Sequence, residues 1–332
     1  MKNIFFALFI AISVSSFGQQ DKSISMWYQS PMMYNPGSVA TGAEDFGFFT
    51  NCRLQWLPLT KMRTNILNAN FKIPDGFMGS NNFGIGLNVM NDVTGDLGFS
   101  TNTISIPINY TLALDNRNKL SLGISPGFYQ QSYTPSHTWE NQWQGSGFTG
   151  TNTELGLNSS YSTIDISSGV YYQHSMRNRS LLYGGVALNH INKPKIDFSF
   201  GSDRLYMQTV VHAGANIVTR KRDLRVNPQI MYSKTGPGSN LVAGISLEHI
   251  LKEGSAITNI NKTVTVDYGF YYRHKDALVT TFGFKVKGFK LGIAFDANLS
   301  YLNQATNSIG AVEIYLKTLH LYKTSTKRGK IK

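Results

Sequence analysis

The sequence predicts an all-β protein: a transmembrane antiparallel β-barrel of about fourteen strands, with an N-terminal segment positioned to pack in the lumen. Three observations predict it. From Phe46 to Leu316, stretches of about ten residues alternate apolar and polar character, and in a strand that alternation makes one oily face and one wet face. Such stretches match the roughly 9–11 residues that a tilted strand needs to cross a bilayer. The alternation never lapses for long, and many strands of this kind without helices between them close into a barrel that leaves no free edge.

Taken in order, the chain opens with Met1-Lys2-Asn3, a short basic start, followed by the apolar run Ile4–Val14. Ser16-Phe17-Gly18 then places small residues before Gln19. That is the layout of a secretory signal peptide over residues 1–18, too short to span a membrane. Residues 19–44 carry Tyr28, Met32, Met33 and Tyr34 without alternation and form a periplasmic or lumenal segment. The barrel occupies 45–317. Its first seven strands are expected at Asp45–Leu57, Arg63–Ile73, Phe83–Asn91, Thr101–Leu114, Asn118–Gln131, Tyr161–Gln173 and Arg179–Lys193. The second seven are expected at Arg204–Thr219, Asp223–Lys234, Ser239–Ile250, Lys262–Arg273, Ala277–Lys287, Phe289–Tyr301 and Ser308–Lys317. In Thr263–Arg273 the lipid register is Val264, Val266, Tyr268, Phe270 and Tyr272. In Leu291–Leu299 it is Leu291, Ile293, Phe295, Ala297 and Leu299. Residues 318–332 form a basic tail.

Composition agrees. Of the 332 residues 41% are hydrophobic, too few for a helical membrane protein but suited to a barrel, in which every second residue meets lipid. No run of 18 apolar residues follows Gly18. Aromatic residues make up 12% of the chain and fit interfacial girdles. Cys52, the single cysteine, has no disulfide partner and lies far from the cleavage point, so it is not a lipidated first residue. The net charge of +12 is uneven, and the tail carries Lys323, Lys327, Arg328, Lys330 and Lys332 with no acid. On an exported protein this reads as a solvated terminus, or one touching anionic headgroups or a periplasmic component, and not as a nucleic-acid arm.

With a periplasmic N-terminus, the tight inner turns are Asp115-Asn116-Arg117, His174–Asn178, Lys221-Arg222 and Gly288. The long outer loops are Asp92–Ser100, Pro194–Asp203 and Ser132–Ser160, an asymmetry typical of outer-membrane barrels. Leu251–Asn261 is long for an inner turn, and His274-Lys275-Asp276 is short for an outer loop. The inward register is rich in glycine, including Gly84, Gly86, Gly123, Gly127, Gly169, Gly185, Gly214, Gly244, Gly269, Gly283 and Gly292. This marks either sharp corners or something packed close against the wall.

No chemistry-bearing constellation emerges. The seven histidines are isolated from one another, so no metal pair exists and no metal or cofactor is expected. Asp165, Asp267 and Asp296 fall inward on separate strands, where lone carboxylates balance Lys285 or arginines. Asp92–Asp96 lacks the spaced acidic ligands of a calcium site. Tyr133, Trp139, Trp143 and Phe148, on the polar loop Ser132–Ser160, are the candidate partner-binding residues, since aromatics on such loops anchor protein interfaces.

Tyr28-Gln29-Ser30-Pro31-Met32-Met33-Tyr34-Asn35-Pro36-Gly37 resembles the N-terminal signature of the PorP/SprF-type membrane proteins of the type IX secretion system. Arg53-Leu54-Gln55-Trp56 resembles the Arg-x-x-Trp-like element that follows it there. Gly84-Ile85-Gly86-Leu87 with Asn91-Asp92 and Gly95, then Leu120–Ile124 with Gly127 and Tyr129, fit the next two. Tyr271-Tyr272-Arg273 with Asp276, then Phe295-Asp296-Ala297-Asn298-Leu299-Ser300, then Gly310 and Glu313-Ile314, are similar in order and spacing to the C-terminal part. The motif residues carried over are thus Tyr34, Asn35, Pro36, Arg53, Trp56, Tyr272, Arg273, Asp276, Asp296, Asn298 and Glu313. Two departures are Pro36-Gly37 in place of a proline-alanine pair and the tail beyond the last strand.

The resemblance implies a non-enzymatic barrel in the outer membrane, in contact with its lipid, that works with other type IX components. Its partner is a secreted cargo, often a surface adhesin with a type IX C-terminal domain, and some members serve gliding motility. The alternative is a passive porin or small-molecule transporter, and its lumen should be open and lined with arrayed charges. An exported soluble β-sandwich is also consistent with the alternation. It needs Ile104/Ile106/Ile108 and Phe282/Phe284/Val286 to be covered.

Overall fold

A computed structural model describes residues 20–42, 45–57, 59–60, 62–73, 82–95, 98–133, 143, 145, 147, 160–196, 203–220, 223–252, 263–301 and 303–320. Fifteen strands form one antiparallel sheet. They are β1 (Phe46–Gln55), β2 (Met62–Lys72), β3 (Phe83–Thr94), β4 (Phe99–Ser105), β5 (Ile108–Ala113), β6 (Asn118–Ser132), β7 (Ser160–Ser175) and β8 (Leu181–Asn189). They continue with β9 (Gln208–Val218), β10 (Leu224–Thr235), β11 (Gly238–Lys252), β12 (Val264–Arg273), β13 (Ala277–Val286), β14 (Phe289–Asn298) and β15 (Ile309–His320). Apart from β4 and β5, which do not pair with each other, each strand pairs with its neighbours in sequence, and β1 pairs along its whole length with β15, which closes the barrel.

The wall has fourteen staves, because β4 and β5 are halves of one. Both pair with β3 and with β6, and they are interrupted only at Ile106-Pro107. Proline has no N–H to give to the ladder. The remaining groups at the break are still used, with Ile106 N–H donating to Pro126 O and Gly86 N–H donating to Pro107 O. The expected strand Thr101–Leu114 is therefore present as a kinked stave. The expected loop Asp92–Ser100 is shorter than read, since β3 and β4 leave only residues 95–98 between them.

Alternation sorts the side chains as predicted. On β12, Tyr268, Phe270 and Tyr272 face outward and are 40–56% exposed, while Asp267 and Tyr271 face inward and are buried. Ile104, Ile106, Phe282 and Phe284 likewise stand uncovered on the outside. An apolar belt of this extent is not compatible with a water-soluble sandwich, and lipid is the solvent that covers it.

The start of β1 and the end of β15 lie together at the near end of the barrel, where the chain also passes from β2 to β3, from β5 to β6, from β7 to β8, from β9 to β10, from β11 to β12 and from β13 to β14. At the far end the chain passes from β1 to β2, from β3 to β4, from β6 to β7, from β8 to β9, from β10 to β11, from β12 to β13 and from β14 to β15, and a one-turn helix, α1 (Asn303–Thr306), lies before β15.

Residues 20–42 run through the lumen. Three 3₁₀ turns, Trp27–Gln29, Pro31–Met33 and Pro36–Ser38, compact the segment. Ile24, Met26, Trp27 and Tyr34 are buried against inward residues such as Ile66, Val210, Met231, Tyr271 and Tyr315, and Met32 and Val39 are buried as well. The lumen is thus the hydrophobic core, with the plug at its centre.

Glycine on the inward register makes room for close packing against the wall, the second of the two roles expected from the sequence. A Cβ on Gly123 would come 2.4 Å from the Pro36 carbonyl carbon, and one on Gly169 would come 2.1 Å from Asn35 Oδ1, so here the plug lies directly on the wall. At Gly244 and Gly292 the space is filled by the rings of Tyr271 and Tyr315 from neighbouring strands. Gly123→Ala is expected to destabilise the folded barrel by about 1–3 kcal/mol, because a backbone neighbour cannot swing aside. Gly238→Ala, whose Cβ would meet its nearest neighbour at 3.5 Å, serves as the control. Thermal unfolding in detergent, followed by the gel shift between folded and unfolded forms, separates the two.

Candidate functional site

The site is built around Ser25. Its hydroxyl lies 2.7 Å from both carboxylate oxygens of Asp296 and accepts from Arg53 Nη1 at 2.8 Å and from Arg273 Nη2 at 2.6 Å. Its backbone N–H donates to Glu313 Oε1 at 2.6 Å, and the Met26 N–H donates to Glu313 Oε2 at 3.2 Å. Arg53 bridges Glu313 and Asp296, and Arg273 pairs with Asp296 at 3.1 Å and Asp276 at 3.0 Å. Asn51 completes the shell with a bond to Glu313 Oε2 at 3.3 Å. Arg53, Arg273, Asp296 and Glu313 are each at most 5% exposed. Two guanidinium and two carboxylate groups balance there, with Asp276 at the rim.

Register explains why residues so far apart in sequence meet. Arg53 and Glu313 are direct cross-strand partners on β1 and β15. Asp296 on β14 sits opposite Ala311 of β15 and Val279 of β13. Between Arg273 and Asp296 the wall carries only the small inward residues Ala277 and Val279, so the arginine reaches over β13 without obstruction. The cluster therefore straddles the seam between the first and last strands.

The plug has a second anchor in Asn35, fully buried, which is the N-cap of the Pro36–Ser38 turn. Its Oδ1 accepts from Gly37 N–H at 2.9 Å, and its Nδ2 donates to Val170 O at 3.0 Å. Those two bonds fix which amide atom is nitrogen. His212 Nε2, 3.0 Å from Nδ2, is therefore an acceptor and belongs to a neutral imidazole. Tyr34 is tied at both ends, its hydroxyl accepting from Ile24 N–H and its carbonyl from Asn189. Pro36 lies over Gly123.

A third anchor lies at the far mouth. His190, just past β8, stands between Asp21 of the plug and Asp165 of β7, at 3.0 and 2.9 Å. Burial pulls the imidazole pKa down, but the two carboxylates outweigh burial and hold it at about 10. Lys22 pairs with Asp92 at 2.9 Å, which gives Asp92 an ammonium partner in place of a calcium ion.

Of the motif residues, Arg53, Arg273, Asp276, Asp296 and Glu313 converge on Ser25, and Tyr34, Asn35 and Pro36 hold the middle of the plug. Asn298 is buried nearby, donating to Thr306 Oγ1. Trp56 and Tyr272 do not join. Trp56 turns the chain out of β1 with a positive φ, its N–H donating to Gly310 O, and Tyr272 faces outward on β12. Among the inward carboxylates, Asp267 pairs with Lys290, not with Lys285. Tyr133 is half-buried at the end of β6 and Trp143 is exposed, whereas Trp139 and Phe148 lie outside the described residues. Ser25, Asp21, Lys22 and His190 were not legible as site residues: residues 19–44 carry no periodicity that assigns a partner.

Cavities of about 120, 220 and 170 Å³ lie between plug and wall among the described residues, each lined in part by plug residues. Among the described residues no group of three or more His, Cys, Asp or Glu is arranged to hold a metal.

Fold and lumen together define an integral outer-membrane β-barrel occupied by its own N-terminal segment. The chain belongs to the family of type IX secretion system membrane proteins PorP/SprF, whose model matches residues 16–318. No curated protein matches it by sequence. Among solved structures it is similar to the CymD monoaromatic hydrocarbon channel (8% identity, TM-score 0.46, covering 87% of this chain and 92% of that one). It is also similar to the toluene transporter TodX of Pseudomonas putida (8%, 0.46, 86% and 91%). A third likeness is to the COG4313 outer membrane channel from Pseudomonas putida F1 (10%, 0.40, 86% and 99%).

Arg53→Ala leaves Asp296 and Glu313 under-compensated and is expected to destabilise the barrel by about 3–5 kcal/mol. Glu313→Gln, which keeps the shape and one acceptor, is expected to have a smaller effect. The two substitutions combined are expected to cost less than their sum, measured as a double-mutant cycle by denaturant unfolding in detergent. His190 sets a pH dependence. Its folded pKa lies above the ordinary 6.5, so its contribution is complete below about pH 6.5 and is lost as pH rises through about 10. The melting temperature should fall across that window more in the wild type than in His190→Gln.

Proposed function

We infer that this chain is a non-enzymatic outer-membrane partner of the type IX pathway. On this reading it holds one or a few exported surface proteins, adhesins with a type IX C-terminal domain, at the cell surface, with gliding motility as the downstream process. The observation that carries the reading is the occupied lumen. Residues 20–42 touch inward residues around the whole wall, from Asp92 and Asn109 on one side to His212, Asn240, Thr281 and Glu313 on the other. They are held by ion pairs at the far mouth and, deeper in, by hydrogen bonds to a buried cluster of wall charges, which a passing solute would have to break. A barrel filled in this way offers a surface, not a passage.

Membership of the type IX family supports contact with other secretion components. The loop stretch bearing Tyr133, Trp139, Trp143 and Phe148 is the proposed contact region for the cargo. Residues 1–18 are proposed to act as the export leader, and the basic tail to face the periplasm.

Deleting the gene is expected to abolish display of one or a few surface proteins and leave small-solute uptake unchanged. The protein purified from outer membranes in mild detergent is expected to carry a large surface protein, identified by mass spectrometry. A bare barrel that conducts in planar bilayers, together with normal surface display in the deletion strain, would overturn the reading in favour of a channel.

A further inference from the structure

The plug has a direction. Gln20 exchanges two hydrogen bonds with the backbone of Tyr206, in the link between β8 and β9. Asp21 reaches His190 and Thr235, Lys22 reaches Asp92, and Ser23 accepts from Asn240. These partners sit at the end of β8, the end of β10, the far part of β3 and the start of β11, all at the far mouth. Deeper in, the Gln29 carbonyl accepts from Lys317, and at the near end the Gly42 carbonyl accepts from Lys72, next to the start of β1. The chain thus enters the lumen at the far mouth, crosses it and leaves at the near mouth, before turning back as the first strand.

The far mouth carries the two longest links between described strands, from β6 to β7 and from β8 to β9, while the near-end links run from the two residues 287–288 up to those between β2 and β3 and between β11 and β12, all shorter than these two. In single-chain outer-membrane barrels long loops face the exterior and short turns the periplasm. We propose that the residue-20 end of the plug is displayed on the cell surface, where Gln20 and Tyr206 build part of the face that meets an exported polypeptide. The display follows from the threading and from the orientation of the barrel. Only the identity of the partner rests on the proposed function. The kind of partner follows from the groups present: the Gln20 amide fixes the Tyr206 backbone and leaves the ring 57% exposed, and an uncharged aromatic anchor suits a polypeptide better than an ionic ligand.

The test uses the full-length chain carrying Cys52→Ser, with single cysteines introduced as Gln20→Cys, Tyr301→Cys in the far link and Asn116→Cys in the near turn. Intact cells are treated with a membrane-impermeant maleimide, and folding is checked by the gel shift of the extracted barrel. The expected result is labelling of Gln20→Cys and Tyr301→Cys on intact cells, with Asn116→Cys labelled only after the outer membrane is permeabilised. Labelling of Tyr301→Cys but not of Gln20→Cys on intact cells overturns the threading. Labelling of Asn116→Cys in place of Tyr301→Cys overturns the orientation instead and leaves the plug's direction standing. A short epitope inserted between Gln19 and Gln20 gives an independent readout. Antibody binding to intact cells is expected, and binding only after permeabilisation overturns the proposal. Neither readout depends on surface display of any cargo, so failure here and failure of the functional reading remain distinguishable.

Discussion

The structure depends on one hydroxyl held among four buried charges. Two arginines and two carboxylates buried in the lumen are costly to desolvate, and that cost is offset because each has partners on several sides. Ser25 provides the point where those partners meet, accepting from both arginines while its own O–H meets Asp296. Without the plug, the Glu313 carboxylate loses two backbone donors at once. The wall therefore needs the plug as much as the plug needs the wall. Because Arg53 and Glu313 lie opposite each other on β1 and β15, the same contacts also hold the closing seam.

A second constraint is space. A fourteen-stave barrel is wide enough to hold a column of water unless something fills it. Here the filling comes from both sides. On the β3–β8 side the wall is lowered to glycine at Gly84, Gly123, Gly169 and Gly185, so that Val39, Pro36 and Asn35 rest on it. On the β10–β15 side the wall supplies the bulk through Met231, Tyr271 and Tyr315, and the plug meets it with Trp27 and Tyr28, whose ring stacks on Tyr271 at 4.9 Å between centroids.

The wall was legible in the sequence because it obeys a period of two. Fourteen staves, the outward belt and the inward glycines all follow from that one rule, and the break at Pro107 is a local exception with a covalent cause. The plug obeys no period, and its partners are set by tertiary register, so nothing in the spacing ties Ser25 to Glu313 or Asp21 to His190. The motif residues show the same divide. Arg53, Arg273, Asp296 and Glu313 could be placed on the inward face from alternation alone, but not brought to one point, since that required the pairing of β1 with β15. Trp56 and Tyr272 entered the motif beside them in sequence and part from them in space, one at a turn and the other toward lipid.

The route of the plug also bears on how the barrel can form. Residue 20 and the start of β1 lie at opposite mouths, so residues 20–42 cannot be drawn into a finished barrel from the near end as a simple tail. The end of the segment would have to pass the Asn35 and Pro36 contacts, where even a Cβ on the wall has no room. A segment that fits so closely is most simply packed while the sheet is open, with β1 and β15 still apart. Glu313, Asp296 and Arg273 then form one wall of the Ser25 site on the β12–β15 side, and Arg53 arrives with β1 as the seam zips. The last ion pairs of the core and the last hydrogen-bonded strand pair are, by this geometry, one event.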